Sequence, residues 1–265
     1  MNKAFVNGVH IGYESIGEGF PLIAITGKDA NRDWWSPAIK AGLSDKRRLI
    51  LLDNRGTGQS DAPEEAYSIA DMAKDVVGLM DTLGIEQAHV LGQSMGGMIA
   101  QEIAIEYPER VAKLILCSTT CGVTRTLPTF RMLKWMSRKT TAFSPQDTLD
   151  MLYPEPYIRE NPDIIAASVE RMQRSPPARR TMDIHKQASR SFDSFKRLGK
   201  ITSPTLIIHG MKDWVFRPAH AKMVNRRITD SRLLLYANAG HGVLTQEYRK
   251  VLAEIGRFID EKDDN

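Results

Sequence analysis

The feature that most constrains this chain is Gly92-Gln93-Ser94-Met95-Gly96-Gly97, set between two runs of different character. Ala88-His89-Val90-Leu91 before it is short, mostly apolar and of strand type. Met98-Ile99-Ala100-Gln101-Glu102-Ile103-Ala104 after it is made of good helix formers. A strand that passes into a helix through Gly-x-Ser-x-Gly turns so tightly that the residues flanking the serine must be small. The serine is then held in a strained conformation with its hydroxyl exposed. The positive end of the helix, which begins at Met95, points at the same spot. Gly and Ser are common in loops, so the flanking strand and helix are what make Ser94 a candidate nucleophile.

A serine hydroxyl is a weak nucleophile and needs an adjacent base. Neutral imidazole, with a pKa near ~6.5, accepts a proton around pH 7. A carboxylate fixes its tautomer and stabilises the imidazolium that forms. Two later strand-like runs end in suitable loops. Thr205-Leu206-Ile207-Ile208-His209 leads to Gly210-Met211-Lys212-Asp213, and Leu233-Leu234-Leu235-Tyr236 leads to Ala237-Asn238-Ala239-Gly240-His241-Gly242. Open α/β sheets build their sites in such loops. Of the six histidines, His10 and His220 read as surface positions, and His89 and His209 as structural residues of strands. His185 has nothing to select it. Only His241 lies between two glycines after a strand and before a final amphipathic helix. The expected triad is Ser94, Asp213 and His241. The expected oxyanion donors are the backbone N–H of Met95 and one from Gly27 or Lys28, in the loop after Pro21-Leu22-Ile23-Ala24-Ile25.

With Asp53-Asn54-Arg55-Gly56-Thr57-Gly58-Gln59-Ser60, these stretches make the chain resemble the α/β-hydrolase superfamily over nearly its whole length. The resemblance implies an α/β fold: a mostly parallel central sheet flanked by helices, formed by residues 1–121 and 201–265. A helical cap is expected at 122–200. The resemblance also implies a Ser-His-Asp hydrolase, without specifying one activity. The chain departs from the family after the first buried strand, where the usual His-Gly is replaced by Thr26-Gly27. A backbone donor survives that change, but the support of the histidine is lost. Asp53 and Arg55 are expected to hold loops together.

The coarse pattern alternates strands and helices: strands at 4–6, 11–16, 22–26 and 111–117, a helix capped by Ser68 and ended by Gly84, and a last helix over 246–259. Prolines 128, 145, 154, 156, 162, 176 and 177 cut the cap into short helices. Its side chains Phe130, Met132, Trp135, Met136 and Phe143 are expected to pack on the core and shape an apolar pocket. Trp35, Trp135 and Trp214 are the expected substrate-binding residues. The cap is basic, with 15 Lys and Arg against 8 Asp and Glu in residues 122–200, which reads as a solvated helical surface.

At 265 residues, 42% of them hydrophobic, the chain can bury an extensive core in one large α/β unit with an insert. No metal-ligand spacing, P-loop or dinucleotide fingerprint occurs, so no cofactor or metal is expected. Cys117 and Cys121 read as buried free thiols. Two cysteines and no apolar leader make a reducing cytoplasm the expected location. No apolar run approaches the ~18 residues of a membrane span. Nor does any recognised nucleic-acid module occur. A small-molecule substrate is expected, and nothing opposes a homodimer. The expected reaction is hydrolysis of a carboxylic ester of a small or medium, partly apolar substrate. A lactone or a C–C bond is the alternative for the same triad. A ligand-binding protein of the same fold with slow turnover is the alternative of another class.

Overall fold

The computed structural model describes residues 2–127, 129–136 and 144–261, residues 135 and 136 by backbone alone. The strands are β1 Asn2–Val6, β2 Val9–Ile16, β3 Phe20–Ile25, β4 Arg47–Leu52, β5 Ala88–Gln93, β6 Val111–Cys117, β7 Thr205–Gly210 and β8 Ser231–Tyr236. They form one eight-stranded sheet in the order β1-β2-β4-β3-β5-β6-β7-β8. β2 runs antiparallel to β1 and β4, and every other pairing is parallel. β1 and β2 start earlier than the apolar pattern suggests, because Asn7-Gly8 closes them as a two-residue hairpin. Both residues adopt positive φ, +48° and +80°, as such a turn requires.

The central strands are apolar on both faces because helices cover both. Ile23, Ile25, Val90, Leu114, Leu116 and Ile207 point to one face and join α2 (after α1, Pro37–Ser44), Ile69–Thr82, and α3, Met95–Glu106. Leu22, Ala24, Leu91, Ile115, Leu206 and Ile208 point to the other, packing with α1 and a C-terminal helix. Ser68 and Asp71 form a reciprocal capping box on α2, and Gly84 follows it at φ +65°.

Among the described residues, five α-helices lie in the stretch 122–200: α4 Phe130–Met136, α5 Pro145–Leu152, α6 Glu155–Glu160, α7 Pro162–Arg174 and α8 Arg179–Ser191. Prolines occupy the first turns of α5, α6 and α7, where a missing N–H costs nothing. Leu149, Tyr153, Ile165 and Met172 give these helices a small core of their own, joined by Trp34 from the loop after β3. Ile184, Ala188 and Phe192 instead enter the main core. Phe130 does not pack as expected: it is 82% exposed. The side chains of Trp135 and Met136, and the whole of Phe143, lie outside the described residues.

The chain ends with α9 Pro218–Asn225, α10 Val243–Gln246 and α11 Tyr248–Asp260. The last helix expected over 246–259 is α11; the short α10 before it is set off at Glu247, whose backbone is at φ −114° and ψ +29°.

Candidate active site

Ser94 stands between β5 and α3 at φ +56° and ψ −117°. A non-glycine residue there carries strain of about 1–3 kcal/mol and persists only when its surroundings impose it. The Ser94 N–H donates to the Cys117 carbonyl at 2.9 Å, and the Thr119 hydroxyl donates to the Ser94 carbonyl at 2.7 Å. A Cβ on Gly92 would strike the backbone of Gly96, one on Gly96 the carbonyls of Ile25 and Thr26, and one on Gly97 the side chain of Thr119. The small residues flanking the serine are therefore a steric requirement of helix and strand meeting at backbone distance.

The loops after β7 and β8 bring the other two residues to this point. His241 Nε2 is 2.9 Å from Ser94 Oγ, and His241 Nδ1 is 2.8 Å from Asp213 Oδ2. Asp213 Oδ1 accepts the N–H groups of Val215 and Phe216 at 2.8 and 2.9 Å. Burial opposes the charge on Asp213, but the charge of His241 and hydrogen bonds from His209 and His241 outweigh it, holding the carboxyl well below the usual range. Phe216 packs its ring edge against His241, with centroids 5.4 Å apart. Gly27 lies beside the nucleophile, since a Cβ built on it would be 3.7 Å from Ser94 Oγ. Lys28 is ion-paired with Asp29.

Three histidines mean more than the sequence suggests. His209 is fully buried, with Nε2 2.7 Å from the Phe216 carbonyl and 3.3 Å from Asp213 Oδ2, so it braces both ends of the Asp213 turn. His220, expected at the surface, is 2% exposed and bridges the hydroxyls of Thr120 and Thr126 at 2.7 and 2.6 Å. Burial, with the nearby His209 and Arg217, pushes it down to about 4. His185 is buried against the loop after β3. Helical spacing of polar residues in α8 and a polar residue in a β-strand carry no signal of such partners.

The tryptophans do not all serve as expected. Trp35 is corrected from substrate binding to core: it is 3% exposed and packs with Ile39 and Leu43 on the α1 face of the sheet. Trp214 is half-buried. Its indole N–H donates to the Asp150 carbonyl at 3.2 Å, and Arg131 stacks on its ring, so it fastens α5 to the turn that carries Asp213. The Trp135 side chain lies outside the described residues. Asp53 accepts the N–H groups of Arg32 and Gln59 and pairs with the Arg32 guanidinium, while Arg55 makes a two-pronged contact with Asp75. Both carboxylates tie neighbouring loops together.

A strained serine at a helix start, with a histidine and an aspartate delivered by the loops after two later strands, defines a class of protein. The model of the alpha/beta hydrolase fold family matches residues 19–155 and 164–248, and the chain belongs to that family. It is 32% identical over 248 residues to the 2-hydroxy-6-oxo-6-phenylhexa-2,4-dienoate hydrolase of Comamonas testosteroni, covering 87% of this chain and 84% of that protein. It is 33% identical over 265 residues to the AB hydrolase superfamily protein YisY of Bacillus subtilis, covering 92% and 93%. Among solved structures it resembles Est816, described as an N-acyl homoserine lactone degrading enzyme, with a TM-score of 0.85, 25% identity and coverage of 97% and 100%.

Proposed function

We propose that the protein is a serine hydrolase that cleaves the carboxylic ester of a small or medium, partly apolar substrate through an acyl-enzyme on Ser94. The observation that carries this reading is the continuous line from Ser94 Oγ through His241 to Asp213, with contacts of 2.9 and 2.8 Å. His241 takes the serine proton as Ser94 attacks the acyl carbon, then returns it to the leaving alkoxide. The backbone N–H of Met95, with one from Gly27 or Lys28, receives the oxyanion. Water, activated by the same histidine, then releases the acid.

The names of the Comamonas and Est816 proteins support a second reading, in which the bond is that of a lactone or lies between two carbons. The buried thiols Cys117 and Cys121, pushed up to about 12 and 11 by burial, suit a reducing cytoplasm. The test is fluorophosphonate labelling of the purified protein, followed by hydrolysis of a panel of acyl esters, lactones and vinylogous diketones. Ser94 is the expected labelled residue, and Ser94→Ala should lose both labelling and turnover. Labelling that persists in Ser94→Ala refutes the assignment. Rapid labelling without turnover of any substrate class favours a ligand-binding role.

A further inference from the structure

The loop after β3, Thr26-Gly27-Lys28-Asp29, holds an unusual backbone. Asp29 sits at φ +64°, the left-handed region that non-glycine residues occupy uncommonly. We propose that His185, delivered by α8 of the insertion, holds that conformation as a positioning residue. It fixes residues 27–29 beside Ser94, so the oxyanion site is formed only when the insertion is seated. This rests on the acyl-transfer reading given above.

His185 is completely buried. Its Nδ1 accepts the Asp29 N–H at 3.2 Å, and its Nε2 lies 3.1 Å from the Arg55 carbonyl, to which it donates. Its Nδ1 also lies 3.4 Å from the Asp29 carboxylate, so backbone and side chain of Asp29 both meet the ring. Both partners belong to loops of the main sheet, 156 and 130 residues away. The Arg55 carbonyl is itself fixed by the Tyr67 hydroxyl at 3.0 Å, and the Tyr67 ring stands edge-on to His185 with centroids 5.8 Å apart. The ring is thus clamped on one side and hands that rigidity to Asp29 on the other. The same loop is sewn to the insertion twice more. Asn31 donates to the Ser175 carbonyl at 3.1 Å, and Trp34 joins the apolar cluster of α5 and α7. Much of the support for the loop therefore comes from segments distant in the sequence.

An oxyanion donor acts on charge that develops only in the transition state, so its misplacement lowers kcat and leaves KM nearly unchanged. Removing one such donor costs about 10²–10³ in rate, and loosening it should cost about 10- to 100-fold. The experiment compares wild type, His185→Leu and His185→Asn, with near-UV circular dichroism and thermal unfolding as checks of fold. The second-order rate of Ser94 labelling by a fluorophosphonate, kcat and KM for p-nitrophenyl butyrate, and inhibition by an alkyl trifluoromethyl ketone are measured. His185→Leu should lower the labelling rate and kcat by about 10- to 100-fold and weaken the ketone by a similar factor, with KM within about threefold. His185→Asn keeps an acceptor near the Asp29 N–H and should retain at least about a third of the wild-type labelling rate. Folded His185→Leu with an unchanged labelling rate, or a loss confined to KM, overturns the inference while leaving the acyl-transfer reading intact. If His185→Leu does not fold, His185→Asn decides, and a labelling rate below that third overturns it. Absence of Ser94 labelling in the wild type instead refutes the acyl-transfer reading itself.

Discussion

Asp213 owes its role to saturation. Two backbone N–H groups hold Oδ1, and two imidazoles approach Oδ2. Asp213→Asn should keep the turn, because an amide oxygen still accepts from Val215 and Phe216. Its NH₂ would then face histidine donors and select the wrong His241 tautomer. A fall in kcat of roughly 10⁴ is expected, read by steady-state kinetics with unfolding measured alongside. Retention of a tenth of the activity would sink the role. With its carboxyl held well below the usual range, Asp213 stays ionised wherever imidazole can act as a base. The profile of kcat/KM should therefore rise with pH through one proton on His241 and level off. A flat profile between pH 5 and 8 in stable enzyme would contradict this. The meeting of Ser94, Asp213 and His241 was legible because each is written into a short strand-to-turn stretch. His209 and His185 were not, since their meaning resides in carbonyls and carboxylates that only tertiary folding brings near.

Among the elements, α9 carries an acid-sensitive residue into the core. His220 is neutral when folded, with a pKa of about 4, against ~6.5 in an unfolded chain. Between those values the unfolded chain binds more protons, so folding stability falls as pH is lowered through this window and levels off beneath it. The full effect is on the order of 3 kcal/mol. Asp213, a depressed carboxylate, loses its contribution only as pH drops below the ordinary carboxylate range, under the His220 window. His220→Asn should start less stable at pH 7, having lost one threonine contact, but should show a shallower decline in Tm from pH 7 to pH 4. A slope equal to wild type would show that His220 does not titrate there. The proline pattern made the short helices of the insertion legible. Which faces they bury was not, because α4 leaves Phe130 in solvent while α8 commits Ile184 and Ala188 inward.

At the scale of the whole molecule, α11 seals one face of the sheet with Val251, Ile255, Phe258 and Ile259. Phe258→Ala should cost about 3–5 kcal/mol, read as a lower urea midpoint with little change in slope. A cost below about 1 kcal/mol would mean that this face collapses freely around the gap. Alternation of strands and helices was readable in the chain. The placing of β4 between β2 and β3 was not, because neighbours in a parallel sheet are chosen by crossovers and not by the strands' own residues. The insertion leaves and re-enters this sheet through a narrow neck. Gly122 bridges Asp193, Ser194 donates to the Cys121 carbonyl at 2.9 Å, and Arg125 pairs with Asp193. A segment whose two ends are neighbours can be lengthened, shortened or exchanged by descent without parting the strands that bring Ser94, Asp213 and His241 together. Such a neck lets the segment over the site change in size while the sheet below it stays whole, but a replacement of this one would also remove the His185 contacts to Asp29 and Arg55.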